Sequence, residues 1–104
     1  MQNKYGAIKT ELDGYVFDSK AEARRYSELI LAEKAGEISN LTLQPVFPLI
    51  VNQKRVGKYI ADFQYTDRDG IRVVEDVKGM TTTVYRLKKK IVEAIYGINI
   101  VEIR

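Results

Sequence analysis

Apolar positions recur along this chain with two different periods, one helical and one extended. Over residues 20–35 the period is helical: Ala23, Tyr26, Leu29 and Ile30 fall on one stripe, while Arg24, Arg25 and Glu28 lie outside it. Phe17-Asp18-Ser19 leads into this segment, and Ser19 is a good N-cap with Glu22 three residues on, the pattern of a capping box. Gly36 supplies a left-handed stop. Just before the helix, Gly14-Tyr15-Val16-Phe17 reads as a short strand or an extended lead-in.

The middle of the chain reads as strands. Residues 43–51 are apolar but carry Pro45 and Pro48, which confine at least the first half to an edge or an irregular stretch. Asn52-Gln53-Lys54-Arg55 is a polar turn. Residues 58–66 alternate, with Tyr59, Ala61, Phe63 and Tyr65 on one face and Ile60, Asp62 and Gln64 on the other. Asp67-Arg68-Asp69-Gly70 is a hairpin turn, residues 71–78 form the next strand, and Gly79 ends it. A second helix spans 82–96, with Val84, Leu87, Ile91, Ala94 and Ile95 as its expected buried stripe and Gly97 as its cap. Residues 98–103 make a final strand. The order α-β-β-β-α-β, with no repeat and no linker, predicts one α/β (α+β) layered domain over residues 1–104.

Composition narrows the chemistry more than the fold. The 104 residues are 45% hydrophobic and 30% charged, as in soluble globular proteins. There is no apolar run near the roughly 20 residues that span a bilayer, and Met1-Gln2-Asn3-Lys4-Tyr5 lacks a signal-peptide core, so a cytoplasmic protein is expected. With no cysteine and no histidine, the usual zinc sites and the Ser-His and Cys-His dyads are excluded. Carboxylates, lysines, arginines, tyrosines and hydroxyls remain, and carboxylates suit Mg²⁺ or Mn²⁺. The net charge of +3 favours a polyanionic partner.

One stretch concentrates that chemistry. In Arg72-Val73-Val74-Glu75-Asp76-Val77-Lys78-Gly79, strand alternation puts Asp76 and Lys78 on one face and turns Glu75 to the other, where it reads as structural. If Arg68-Asp69-Gly70 is a type I turn with Gly70 left-handed, Asp67 pairs with Ile71 and Asp62 falls opposite Asp76. Slipped by one residue, Asp62 would face Glu75 instead. Cross-strand Cβ atoms lie about 4.5–5.5 Å apart, so Asp62 and Asp76 can share a divalent cation with Lys78 one step away.

Asp62, followed after thirteen residues by Asp76-Val77-Lys78, resembles the PD-(D/E)XK nuclease signature, with Ala61 where the superfamily name has proline. The α-β-β-β-α-β order is similar to that superfamily's restriction-endonuclease-like core, a mixed sheet flanked by two helices. Phe17-Asp18-Ser19-Lys20-Ala21-Glu22, Gln44-Pro45, Ala61-Asp62-Phe63 and Val74-Glu75-Asp76-Val77-Lys78-Gly79 resemble, more narrowly, a family of small uncharacterised phage and prophage proteins. The resemblance implies a metal-dependent endonuclease acting on DNA, including branched or recombination intermediates as a Holliday-junction resolvase does. It implies Asp62, Asp76 and Lys78 as catalytic residues. It also implies Mg²⁺ (or Mn²⁺) held by Asp62, Asp76, the Val77 carbonyl and Glu22, although Glu22 is equally explained by the capping box. Gln44 matches the Gln-Pro pair and borders the expected pocket. A core this small has few loops for gripping a long substrate, so a homodimer or a partner protein would extend the interface.

The basic residues are read two ways. Lys88 falls within the expected buried stripe of the second helix, where it either touches phosphate or snorkels to solvent. Arg86, Lys89 and Lys90, and around the first hairpin turn Lys54, Arg55 and Lys58, either track a nucleic-acid backbone or are simply solvated. The competing functional class is a non-catalytic module. One form is similar to a double-stranded RNA-binding domain, which needs neither the carboxylate pair nor the last strand; the other is a nuclease-fold adaptor that has lost catalysis.

Overall fold

The computed structural model describes residues 9–78 and 81–104, so Met1–Tyr5 and the Gly79 stop lie outside the described residues. Ten elements follow one another: β1 (Thr10–Leu12), β2 (Tyr15–Phe17), α1 (Lys20–Lys34), β3 (Ser39–Leu43), β4 (Val46–Val51), β5 (Lys54–Ile60), β6 (Phe63–Thr66), β7 (Arg72–Val77), α2 (Thr83–Tyr96) and β8 (Ile100–Ile103). They form an α+β domain whose central sheet runs β3-β6-β7-β8. Its pairs are antiparallel except for parallel β7–β8. The two helices and the final strand come in the expected order, but five strands rather than three lie between the helices, and a small β1–β2 hairpin stands in front. Among the described residues no helix is long and apolar enough to cross a membrane.

The first helix forms where its capping residues place it. The Ser19 side chain accepts from the Glu22 amide at 3.1 Å. At the other end Gly36 adopts φ +77°, which lets the Glu37 amide reach the Ala32 carbonyl and its own amide reach that of Glu33, a Schellman closure. The buried face is Ala23, Tyr26 and Leu29, packed with Phe17 and Phe63.

The two expected central strands are each broken once. The pairs Thr42↔Gln64 and Leu43↔Phe63 in one sheet continue in register as Val46↔Ile60 and Phe47↔Tyr59 in another. Residues 39–66 are therefore one long hairpin interrupted at Gln44-Pro45 and at Ala61-Asp62. Pro45 has no amide to give to a ladder, and Gln44 takes φ +51° beside it. The joint is held instead by Gln44 N–H to the Asp62 carbonyl (2.9 Å) and Ala61 N–H to the Pro45 carbonyl (3.1 Å). This break corrects the expected common face of the 58–66 strand. Tyr59 and Ala61 join the core under α2, with Phe47, Val74 and Val92, whereas Phe63 and Tyr65 lie in the core under α1. The polar turn is also shorter than expected: Asn52 and Gln53, both at positive φ, make the tight turn, and Lys54 and Arg55 already belong to β5.

The buried stripe of α2 needs correcting too. Val92 is its fully buried residue, while Val84 (64% exposed), Leu87 (58%), Ala94 and Ile95 face outward and Ile91 is half-buried. The helix is rotated so that Tyr85 and Tyr96 turn to the sheet. The Tyr85 hydroxyl donates to Glu102 at 2.8 Å and that of Tyr96 donates to the Pro48 carbonyl at 2.7 Å. These hydrogen bonds, with the ring contacts Tyr85–Tyr59 and Tyr96–Phe47, fix a rotation that the aliphatic periodicity does not foretell.

On the α1 side, Glu75 is only 1% exposed, yet every need of its carboxylate is met. Arg25 grips it with two bonds, Nε to Oε1 at 2.8 Å and Nη2 to Oε2 at 2.7 Å, and the Tyr65 hydroxyl donates at 2.6 Å. Arg25, read from sequence as outside the apolar stripe, is thus the partner that fixes α1 to β7. Removing one member of such a pair leaves a buried charge, so Arg25→Ala should cost about 3 kcal/mol or unfold the domain. Urea unfolding at neutral pH measures this, and a loss below about 1 kcal/mol would mean Tyr65 alone satisfies Glu75.

Candidate active site around Asp62, Asp76 and Lys78

The turn before β7 sets the site's register. Gly70 sits at φ +79°, its amide donates to the Asp67 carbonyl, and Asp67 N–H donates to the Ile71 carbonyl. Asp67 Oδ1 also accepts from the Asp69 and Ile71 amides. The turn is the one inferred from Arg68-Asp69-Gly70. Its ladder runs Thr66↔Arg72, Tyr65↔Val73, Gln64↔Val74 and Phe63↔Glu75. The next step would set Asp62 against Asp76, but the regular pairing stops there. The Asp62 amide instead donates to the Glu75 carbonyl at 3.1 Å, and the Asp62 carboxylate accepts from the Val77 amide at 2.7 Å.

Asp62 therefore lies at the strand break with its carboxylate on the edge of β7. Asp76 is 1% exposed, and among the described residues its Oδ2 has no hydrogen-bond partner. Its Oδ1 lies 3.8 Å from the Lys78 ammonium, which confirms that Asp76 and Lys78 share a face. The ammonium also rests 4.3 Å from the centroid of the Tyr85 ring, a cation–π contact. Glu22 of α1 lies within electrostatic range of both Asp62 and Asp18.

The acids respond to this crowding. Burial lifts Glu22 to about 7, with Asp62 and Asp18 adding to the rise and the Asp18 amide and Lys78 opposing it. Burial pushes Asp76 up to about 6 against the pull of Lys78 and of the Asp62 backbone amide. Asp62 is raised as well, again by burial, with the Val77 amide as the chief restraint. Lys78 is the one cation that lowers all three. Among the described residues no three acidic side chains converge as a ready-made cation cage. The Lys78 ammonium instead lies 3.8 Å from Asp76, and its charge is also felt by Asp62 and Glu22.

The remaining expected residues are scattered. Gln44 is exposed, but its amide supports the backbone of Asp62. Val77 directly follows Asp76 on β7, and its amide is the one that donates to the Asp62 carboxylate. Lys89, rather than Lys88, turns toward Asp76: it pairs with Glu102 at 3.4 Å, and its charge helps to lower Asp76. Lys88 faces away, toward β5. Arg86 donates to the Thr81 hydroxyl at 3.2 Å. Lys54 and Arg55 sit at the far end of the β4–β5 hairpin, five ladder steps or roughly 17 Å from its base beside the break. The expected basic residues thus do not form one patch.

Sequence reasoning missed Tyr85 and Glu102. Tyr85 supports Lys78 and is anchored by Glu102, which stands beside Asp76 in the parallel β7–β8 register and is held below the usual carboxylate range chiefly by the Tyr85 hydroxyl. The only signal available was that Glu102 shares the period-2 pattern of a strand flanked by apolar residues.

These shifts fix a pH dependence. Glu22 and Asp76 hold protons more tightly when folded, so their contribution to stability is complete below pH 4 and is lost as pH rises through about 6 to 7. Asp76→Asn removes the Asp76 share of that loss. In EDTA at pH 8 the variant should gain on the order of 1 kcal/mol, or about 5 °C in melting temperature, with the gain vanishing near pH 4. A variant that melts well below the parent at pH 8 would make Asp76 a structural partner of Lys78.

Comparison with known proteins adds a family but no activity. No curated protein and no solved structure matches the chain. A family model described as a protein of unknown function, DUF1064, matches residues 2–101. That match spans nearly the whole sequence, and the chain belongs to this family.

Proposed function

We propose that the protein is a Mg²⁺- or Mn²⁺-dependent nuclease that hydrolyses phosphodiester bonds in DNA, with a PD-(D/E)XK-type centre built on Asp62, Asp76 and Lys78. The observation that carries this reading is the carboxylate of Asp76. A buried acid oxygen without a partner is costly, and such groups persist where a ligand completes them. Glu75, the adjacent residue, shows the contrast, because every lone pair it needs to place is met by Arg25 and Tyr65.

The donors are of the type a hard divalent cation takes, namely Asp76 with an unpartnered oxygen, Asp62 at the break, Glu22 in electrostatic range of Asp62 and the Val77 carbonyl, and such a cation would draw together acids that do not converge without it. The amide and carbonyl of one strand residue point to the same neighbour, so the Val77 carbonyl lies on the Asp62 side, beyond the end of β6. When bound there, the cation supplies Lewis-acid polarisation of a phosphate oxygen and acidification of water. The protein's own groups do the rest. Lys78, held over the Tyr85 ring, places a positive charge where attack on phosphorus builds negative charge. Its ammonium also donates hydrogen bonds that orient the attacking water.

The double-stranded RNA-binding reading has less support. That outline does not call for β8, whereas here β8 lies parallel to β7 and contributes buried Ile100 to the core.

The test is a cleavage screen over labelled duplex, single-stranded, flap and four-way DNA with Mg²⁺ or Mn²⁺. Branched substrates are the first to try. Asp76→Asn and Lys78→Ala should each lower the rate by about a hundredfold or more. DNA affinity of Asp76→Asn in EDTA should persist, since it rests on lysines and arginines. A parent protein that binds DNA but cleaves none of these substrates would retire the nuclease reading in favour of a binding module. Equal cleavage by Asp76→Asn would retire it too.

A further inference from the structure

Beside the candidate centre lies a second feature that its chemistry does not use. A groove of about 370 Å³ runs between β5 and the N-terminal turns of α2, lined by Lys58, Tyr59 and Ile60 on one wall and by Thr82, Tyr85 and Lys88 on the other. We propose that this groove is a binding site for a backbone phosphate of a nucleic-acid strand, next to the scissile one.

Three independent observations point there. The first is charge. One lysine stands on each wall, the groove is lined by no acid, and the first turn of α2 holds no Asp or Glu. The second is the helix end itself. Thr82 caps α2 by accepting from the Tyr85 amide at 3.1 Å, but the amides of Thr83 and Val84 have no carbonyl within the helix to receive them. A fourteen-residue helix presents its positive dipole end at this point. The third is Tyr59. It lines the groove, is only 5% exposed, and among the described residues its hydroxyl has no hydrogen-bond partner. A buried donor without an acceptor is costly, and a phosphate oxygen would satisfy it.

The location ties the groove to the centre. Tyr85 forms part of its wall and at the same time carries the Lys78 ammonium on its ring. On the nuclease reading, a strand whose phosphate meets Lys78 would continue past Tyr85 into the groove of Lys58 and Lys88. This also gives Lys88, which does not turn toward Asp76, a task of its own. The placement beside the scissile phosphate rests on the nuclease reading, but phosphate capture by the groove does not.

The test measures binding of a fluorescein-labelled oligothymidylate in EDTA across a salt series, for the parent, Lys58→Ala, Lys88→Ala, Tyr59→Phe and the distant control Lys34→Ala. If the groove holds one phosphate, Lys58→Ala and Lys88→Ala should each weaken binding several-fold and together flatten the dependence of log K on log salt by about 0.7. Tyr59→Phe should weaken binding while leaving the melting temperature the same or higher, because it deletes an unpartnered hydroxyl. Lys34→Ala should match the parent. Unchanged affinity and salt slope in both groove lysine variants would overturn the proposal, and so would equal losses in Lys34→Ala. The outcome is separable from the nuclease reading. A flat result with Asp76→Asn still abolishing cleavage removes the groove alone, and a reduced slope with no cleavage by the parent keeps the groove and removes the reading.

Discussion

Two neighbouring carboxylates, Glu75 and Asp76, lie in the most buried stretch of the central sheet, and everything around β7 answers to them. A strand must send adjacent side chains to opposite faces, so the two acids enter different layers. On the α1 side the protein spends an arginine and a tyrosine on Glu75, and that cluster pins the first helix to the sheet. On the α2 side Asp76 has the Lys78 ammonium at 3.8 Å, the Asp62 amide and the charge of Lys89, but among the described residues nothing bonds its second oxygen. The two acids are equally buried but unequally satisfied, and that difference is what singles out Asp76 for the proposed centre.

The interrupted hairpin is the second determinant. A regular strand through residues 58–66 would hold Asp62 in a fixed alternation and its backbone in the ladder. Pro45 and the left-handed Gln44 prevent that, and the break releases the Asp62 carboxylate to the edge of β7, where it accepts the Val77 amide. The same interruption hands Tyr59 and Ala61 to one core and Phe63 and Tyr65 to the other. One local irregularity thus positions an acid and allots side chains to both layers.

Much of this could be read from the sequence where the signal was local. Ser19, Gly36 and Gly70 act through the backbone of their own neighbours, and the helix ends and the β6–β7 register followed from them. The Asp76–Lys78 pairing needed only strand alternation. The orientation of α2 was not legible, because it turns on whether Tyr85 and Tyr96 find acceptors in Glu102 and Pro48, residues distant in sequence. Arg25 was misplaced for the same reason: helical periodicity shows which residues are apolar, not which buried acid waits opposite a charged one. The strand break was half visible in Pro45, but its partner at Ala61-Asp62 carries no breaker residue and is set only by pairing across the hairpin.

The bulge at Val56, opposite Leu49 and Ile50, has a consequence for how this hairpin tolerates change in length. Beyond it the pairing has already slipped by one, to Ile50↔Arg55 and Val51↔Lys54, and the tip closes through Asn52-Gln53. Residues inserted or lost at that tip would be absorbed before the register reaches Val46↔Ile60, whereas a single residue added between Ile60 and Phe63 would exchange the faces of every side chain that follows. The distal arm is therefore the place where sequence length can drift, graft or lengthen, and the joint at Asp62 is where it is locked.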